Sequence, residues 1–481
     1  MQLYKWLQIS ACVGLAMVAG SCKMQQPLTL PAAKALPDTF IHPVDTVSIA
    51  SMPLKTFFTD APLQQLIDTA LRNNFDLQIA LQRINTARAA LVLAKHAWLP
   101  SLDISASAGV DKYADYTLNG VGNFDTNLSP NIDKNQRIPT PTPEYFLGLR
   151  SSWEIDLWGK LKQRKKAAYA RLLASEKGRQ LVTTLLVSQV ASMYYELVAL
   201  DNELGIVRKN ITLQQKAVET VNIQKAGGRA TELAVQQFTA QLLSTQSMEH
   251  TIRQQIVQTE SQLNRLLGRF QQPVVRTRDI FTQPLRINVK TGIPAAMLLR
   301  RPDIQQAELE LLAAKSDVNA ARKAFLPSFN ITPYAGLNAF NASLLFQAPS
   351  SIAYGIVGGL TAPIFNKQQL NTQYKQAGAA AIASFYEYQR TIVNSYQEVV
   401  TALNQVENQQ AINQLKEKEV TVLQQAVATS QDLYMAGYAS YLEIITAQKS
   451  VLEAELALTI TRKQIFQGTI ELYRALGGGW Q

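Results

Sequence analysis

Two rhythms of apolar and polar residues alternate along the chain. After Pro100, Leu102, Ile104, Ala106, Ala108 and Val110 alternate with Asp103, Ser105, Ser107 and Gly109, a period of two that predicts a strand with one apolar and one polar face. The rhythm returns after Pro327, where Phe329, Ile331, Ala335 and Leu337 alternate with Asn330, Thr332 and Asn338. Tyr145, Leu147, Leu149, Trp153 and Ile155 alternate with Gly148, Arg150, Ser152, Glu154 and Asp156, and Tyr354 to Ile364 is a glycine-rich counterpart. Strands are therefore predicted at about 100–111, 144–157, 327–338 and 353–365. The second rhythm is helical. No proline occurs from Glu144 to Gln272 or from Ile364 to the C-terminus. Leu181, Leu185, Ser188, Tyr195, Val198, Leu213, Ala217 and Val221 recur at about 3.5-residue spacing, as do Val399, Leu403, Val406 and Leu433. Each run breaks once, at Gly227-Gly228 and at Gly437, because glycine terminates helices. A helix from Lys160 to Lys225 would be about 100 Å long at 1.5 Å per residue, too long to fold around one compact core.

The chain is duplicated. Leu71 to Ala80 aligns with Leu298 to Ala307, Ala97-Trp98-Leu99-Pro100-Ser101 with Ala324-Phe325-Leu326-Pro327-Ser328, and Ala108-Gly109 with Ala335-Gly336, all at a shift of 227. About a third of the positions from Leu71 to Gly109 are identical. Later the shift is 209: Gly228 to Leu233 meets Gly437 to Leu442, and Arg265-Leu266-Leu267-Gly268 meets Arg474-Ala475-Leu476-Gly477. The first half therefore carries about 18 extra residues in one loop, within Asp111 to Pro143. Part of that loop, Asn127 to Pro143, is polar and proline-rich.

Composition narrows the chemistry. Residues 1–21 carry one lysine, an apolar stretch from Ile9 to Val18 and then small residues, as in a secretory signal peptide. Val18-Ala19-Gly20-Ser21-Cys22 resembles a bacterial lipobox, so Cys22 is expected to be acylated and to become the N-terminus. The two cysteines lie within and at the end of this leader, which leaves no intrachain disulfide and no cysteine-based metal site. His42, His96 and His250 share no short spacing, and no phosphate-binding, zinc-protease or nucleophile-elbow motif occurs. An enzyme is not expected, and the pair Glu154 and Asp156 reads as polar lining with no nucleophile or metal ligand beside it. The net charge of +10 is a surface property in a secreted chain rather than a sign of nucleic acid. Beyond Val18 no apolar run approaches the roughly 20 residues of a spanning helix. The strands can therefore be surface hairpins on a lipid-anchored coiled-coil spacer or part of an outer-membrane barrel. In lipid, open sheet edges do not survive and the smallest closed barrels have about eight strands, so several chains would have to share one barrel.

Four motifs in order favour the barrel, with the spacer kept as the structural alternative: Trp153-Glu154-Ile155-Asp156-Leu157-Trp158-Gly159-Lys160, Leu298-Leu299-Arg300-Arg301-Pro302-Asp303-Ile304, Leu360-Thr361-Ala362-Pro363-Ile364-Phe365, and Ala436-Gly437 followed by Tyr441-Leu442. On a duplicated chain they resemble the outer-membrane efflux protein family of TolC- and OprM-like channels, and more narrowly its lipoprotein branch of NodT type. The resemblance covers nearly the whole mature chain. It implies an α+β membrane protein: a homotrimer with a 12-stranded outer-membrane β-barrel, continued by a long periplasmic α-helical barrel, with two structural repeats per chain. The organisation expected is a signal peptide (1–21), an N-terminal anchor and equatorial segment (22–60), a first repeat (61–272), a linker (273–292) and a second repeat (293–481). The function implied is the exit duct of a tripartite efflux pump passing small molecules such as drugs; a duct for type I protein secretion would share the fold. No cofactor or metal is implied. The partners implied are outer-membrane lipid, a periplasmic adaptor and an inner-membrane transporter of the resistance-nodulation-division type.

The resemblance also suggests sites. The related helix turns, Gly228, Ala230 and Thr231 in one half and Gly437, Ala439 and Ser440 in the other, are expected either to dock the adaptor or simply to cap helices. The family's narrow periplasmic end carries a Leu-Asp-Val-Leu-Asp-Ala motif, which Leu442-Glu443-Ile444-Ile445-Thr446-Ala447 matches with one of its two acids retained. Glu443 is then either a gate residue, with Tyr438 or Tyr441 adding bulk beside it, or a solvated residue outside the pore.

Overall fold

The computed structural model describes residues 25–40, 48–277, 279–284, 291–363 and 367–480. Cys22 and the leader lie outside the described residues, as does the Ile364-Phe365 end of the third motif. In chain order the helices are α1 (Leu54–Phe57), α2 (Ala61–Asn73), α3 (Phe75–His96), α4 (Leu118–Leu128), α5 (Lys160–Ala226), α6 (Glu232–Leu266), α7 (Pro294–Arg300), α8 (Pro302–Lys323), α9 (Lys367–Met435) and α10 (Tyr441–Ala475). The strands are β1 (Ser101–Asp111), β2 (Thr142–Ile155), β3 (Ser328–Ala339) and β4 (Ile352–Thr361). The duplication is visible in the lengths. Helices α3 and α8 have 22 residues each, and α6 and α10 have 35 each. The β1–β2 connection (112–141) exceeds the β3–β4 connection (340–351) by 18 residues, and the longer one folds around α4.

The described residues divide into two compact units, one within 25–31, 87–171 and 311–384 and the other within 32–86, 172–310 and 385–480. The first contains a four-stranded antiparallel meander in the order β1-β2-β3-β4. The extended residues 25–31 lie against its helices: Arg322 Nε donates to Gln25 O at 2.7 Å, and Gln25 Nε2 to Asn371 Oδ1 at 2.8 Å. Leu28 packs on Ala314, Val318 and Ala381.

The second unit holds the main core, in which Leu63, Val190, Tyr194, Leu197, Leu263 and Leu472 are almost fully buried. One stretch of α5 is long and apolar enough to cross a membrane, contrary to the sequence reading, but more than half of it is buried and it supplies much of this core. Leu185, Leu213 and Leu433 are exposed, while Leu186, Val187 and Val190 point inward. The apolar stripe is thus wider and rotated relative to the sequence pattern, because α5 packs on several helices rather than on one coiled-coil partner.

A polar cluster ties this core to the linker. Asp60 caps α2, and its Oδ2 accepts hydrogen bonds from Tyr194 Oη (2.8 Å), Thr277 Oγ1 (3.0 Å) and Gln283 Nε2 (2.9 Å). Burial pushes the Tyr194 phenol up to about 12, so it stays a donor. Arg276 grips Asp201 through Nε (2.6 Å) and Nη2 (2.9 Å) and reaches Glu260 at 2.5 Å.

The two halves close in the same way. Asn74 Nδ2 donates to Leu266 O at 3.0 Å, and at the corresponding place Arg301 Nη1 donates to Ala475 O at 2.7 Å, so each repeat's helical start satisfies the carbonyl end of its last helix. Arg301, only 3% exposed, also binds Asp303 (2.6 Å) and Glu398 (2.9 Å). The Arg-Pro-Asp motif is thereby a structural clamp. Gly268 (φ 65°) and Gly477 (φ 92°) end α6 and α10 in the left-handed region, where a Cβ would also strike the backbone of Asn73 or Arg300. Replacing Arg301 with alanine leaves the Ala475 carbonyl and Asp303 without the guanidinium, while Arg474 still holds Glu398 at 3.1 Å; the expected loss is about 1–3 kcal/mol, read as a lowered midpoint in thermal unfolding of the helical signal. Lysine, which lacks the guanidinium fork, should restore only part of it.

Candidate channel elements: the two-faced sheet and the helix turns

The register of the meander sorts most of its side chains by polarity, with Phe146, Tyr334 and Val357 as exceptions on the polar face. Ile104 faces Leu149, Leu149 faces Ala335, and Ala335 faces Tyr354, so one face carries apolar residues of all four strands. The opposite face carries Asp103, Ser105 and Ser107, then Glu144, Arg150 and Ser152, then Asn330, Thr332 and Asn338. The apolar face is uncovered: Leu102, Ile104, Val110, Tyr354, Ile356 and Leu360 are each more than 60% exposed. On the polar face Phe146 is tucked over Gly148 and Gly336, with the Arg150 guanidinium 4.6 Å from its ring centre. A Cβ at either glycine would meet backbone atoms at about 2.5 Å, which explains the glycine pair at this register.

The Trp153 to Lys160 motif converts strand into helix. Trp153 Nε1 donates to Trp98 O and Trp158 Nε1 to Pro327 O, both at 2.7 Å, fastening the end of β2 to the segments that lead into β1 and β3. The strand stops at Ile155, short of the expected 157, because Asp156 turns to cap α5. Its carboxylate accepts from Leu161 N (3.0 Å) and Lys162 N (2.8 Å), a favourable place for an anion at a helix start. Gly159 supplies the left-handed turn (φ 75°), and Glu154 pairs with Lys160 at 2.5 Å. Neither carboxylate is the open lining residue that the alternation suggested. β4 likewise ends early, at Thr361.

The two turns in the second unit are built alike. Gly228 (φ 71°) and Gly437 (φ 81°) close α5 and α9, with Arg229 N donating to Gln224 O and Tyr438 N to Leu433 O, both at 2.8 Å. Thr231 caps α6 through Ala234 N at 3.2 Å. Lys225 and Glu232 pair across the first turn. Of the docking residues, Gly228, Thr231, Gly437 and Ser440 are exposed, Ala439 is half-buried, and Ala230 packs against the cluster of Val221, Ala234, Phe238 and Ile444. Tyr441 joins that cluster, whereas Tyr438 is 85% exposed and free to contact another molecule.

Glu443 is exposed and occupies the third position of α10, where its carboxylate accepts from both the backbone N–H and, at 2.6 Å, the hydroxyl of Ser440. These hydrogen bonds hold its carboxyl below the usual range. Ser-x-x-Glu ahead of an apolar run is the sequence signature of this capping box, and it is independent of the resemblance to an acidic gate.

Both repeats match the family described as outer membrane efflux protein, over residues 66–269 and 293–478. The chain belongs to that family. This outer membrane efflux protein is 30% identical over 424 residues to the pyoverdine export outer membrane protein OpmQ of Pseudomonas putida, covering 88% of this chain and 87% of that one. It is 29% identical over 428 residues to the cation efflux system protein CusC of Escherichia coli, covering 89% and 88%. Among solved structures, the crystal structure of a membrane protein from Pseudomonas aeruginosa superposes with a TM-score of 0.81 at 25% identity, covering 95% of this chain and all of that one. The efflux protein is accordingly an outer-membrane transport protein rather than an enzyme. Among the described residues no group of three His, Cys, Asp or Glu side chains converges as a metal site.

The cap at Glu443 gives a pH test. A carboxyl whose pKa falls on folding contributes stability above its unfolded value, and that contribution is lost as the pH drops through the lowered folded value. Amide exchange at residues 440–444, corrected for intrinsic rates, should therefore accelerate below the ordinary carboxylate range. Glu443→Gln, which keeps the box without the titration, should remove the pH dependence.

Proposed function

We propose that this efflux protein works as a homotrimer whose three meanders close into one 12-stranded barrel, the exit duct of a tripartite pump for small molecules such as drugs. The observation that carries this is the four-stranded sheet with one uncovered apolar face, one polar face and two unpaired edges. Hydrocarbon suits the first face and a wet lumen the second, and sharing the edges among three chains satisfies backbone groups that lipid cannot. That OpmQ is named for pyoverdine export and CusC for cation efflux supports small solutes as the cargo class.

On this reading Cys22 is lipidated and tethers the N-terminus to the outer membrane, and the turns at Gly228–Thr231 and Gly437–Ser440 dock a periplasmic adaptor that links the duct to an inner-membrane transporter of the resistance-nodulation-division type. The exposed Tyr438 is a better reporter of docking than the packed Ala230. Palmitate labelling that survives Cys22→Ser, or photo-cross-linkers at position 438 that never capture the adaptor, would remove these assignments.

The barrel is tested by a pair of neighbours in β1. Ile104→Arg places a charge on the lipid face at a cost of about 2–4 kcal/mol per chain near the midplane, and should sharply lower the trimer recovered from the outer membrane. Ser105→Arg, facing the lumen, should leave that level unchanged and alter conductance instead. Equal recovery of both variants would contradict the assignment of faces. Glu443 is proposed to ring the narrow end, three carboxylates attracting cations about the axis. Because glutamine preserves the capping box, Glu443→Gln isolates the charge. Bilayer recordings should show a weaker cation preference, and unchanged selectivity would leave Glu443 as a cap alone.

A further inference from the structure

Within the second unit, α5, α6, α9 and α10 enclose a half-open cavity of about 640 Å³. Its walls are largely apolar, with Leu213, Val221, Phe238, Val427 and Ile444 among them. Gln214 also lines it, and this side chain is 2% exposed with neither Oε1 nor Nε2 hydrogen-bonded. A buried amide without partners is costly to keep. Neighbouring polar groups at the wall are already engaged: Tyr434 Oη donates to Gln224 Oε1 at 2.6 Å, Gln424 Nε2 to Glu455 Oε1 at 2.8 Å, and Asn210 Nδ2 to Ile206 O at 3.0 Å. Gln214 therefore presents, from a buried position in a largely apolar wall, an unpartnered neutral amide with an N–H donor and a carbonyl acceptor. A volume of this size accommodates a drug-sized molecule.

We propose that this cavity is a binding site for a small neutral amphiphile, whose apolar body lies against Leu213, Val221 and Phe238 and whose single hydroxyl, amine N–H or carboxamide pairs with Gln214. A charged group is disfavoured at Gln214, because an uncharged amide does not compensate the lost hydration of a buried ion, and the half-buried carboxylate on the lining, Glu455, already accepts from Gln424. The lysines on the lining, Lys209 and Lys216, are exposed and stay solvated. The site is built from α5, α6, α9 and α10 of one chain and does not rest on the trimeric reading above.

The probe for the test is N-phenyl-1-naphthylamine, a neutral fluorescent amphiphile with one N–H donor, titrated into the full chain in phosphatidylcholine nanodiscs with empty nanodiscs subtracted. Saturable binding of one probe per chain is expected. Gln214→Leu, similar in volume but without the amide, should weaken it about tenfold, and Ala217→Trp, which fills the cavity, should abolish it. Should the tryptophan variant lose its helical signal, Val427→Phe takes its place. Binding that is unaffected by both the amide and the filling variant would place the probe elsewhere. The absence of saturable binding to the parent chain would leave the cavity to water or to a neighbouring copy, and either result overturns the proposal.

Discussion

A four-stranded meander has two edges, each a row of backbone groups without partners, and hydrocarbon tolerates neither. The other features of the first unit follow from managing that sheet. Its strands largely alternate, because one face must suit lipid and the other water, with Phe146, Tyr334 and Val357 as apolar members of the polar face. Glycines sit at 148 and 336 because Phe146 and the facing backbone leave no room for a Cβ. The indoles of Trp153 and Trp158 fasten the end of β2 to backbone carbonyls, so the chain leaves the sheet at a fixed point and enters α5 under the cap of Asp156. A soluble sheet could relax such details at an exposed edge. A sheet that must pair edge to edge with copies of itself has to present the same register every time.

The second unit solves a different problem, which is to end long helices without leaving carbonyls bare. Duplication supplied two answers to one geometric demand. Where the first repeat uses Asn74 to reach Leu266 O, the second uses Arg301 to reach Ala475 O and, with its remaining nitrogens, to gather Asp303 and Glu398. The arginine does more because its fork has more donors to place. That difference explains why the second repeat's opening motif stands out in the sequence while the first repeat's equivalent, Asn73-Asn74-Phe75, passes unnoticed.

Legibility in the sequence followed the range of the interactions involved. Period-two alternation located the strands, and glycines in proline-free runs located the helix turns, because both patterns are local. The extra residues of the first half are visible on comparing the two repeats, although nothing in Asn127 to Pro143 announces that α4 runs into its first two residues. What escaped was decided by contacts distant in sequence. The buried stripe of α5 is set by several helices at once, so Leu213 reads as core and is exposed. Asp156 reads as one more polar strand residue until Leu161 and Lys162 are seen to need an acceptor. Gln214 has no sequence signature at all, since one glutamine among many on a long helix is distinguished only by what surrounds it.

The equal lengths of α6 and α10, 35 residues each, mean that the two turns are separated from their Schellman-capped far ends by the same number of helical rises. An insertion of one heptad in α6 alone would displace its turn along the helix axis by about 10 Å at 1.5 Å per residue while leaving the other where it was. The two hairpins are thus metrically coupled. Length variation in these helices is tolerable only as matched events in both repeats, unlike the strand connections, where the first repeat carries 18 residues more, so a duplication that freed the two halves to diverge in side chains and loops has bound their helices in measure.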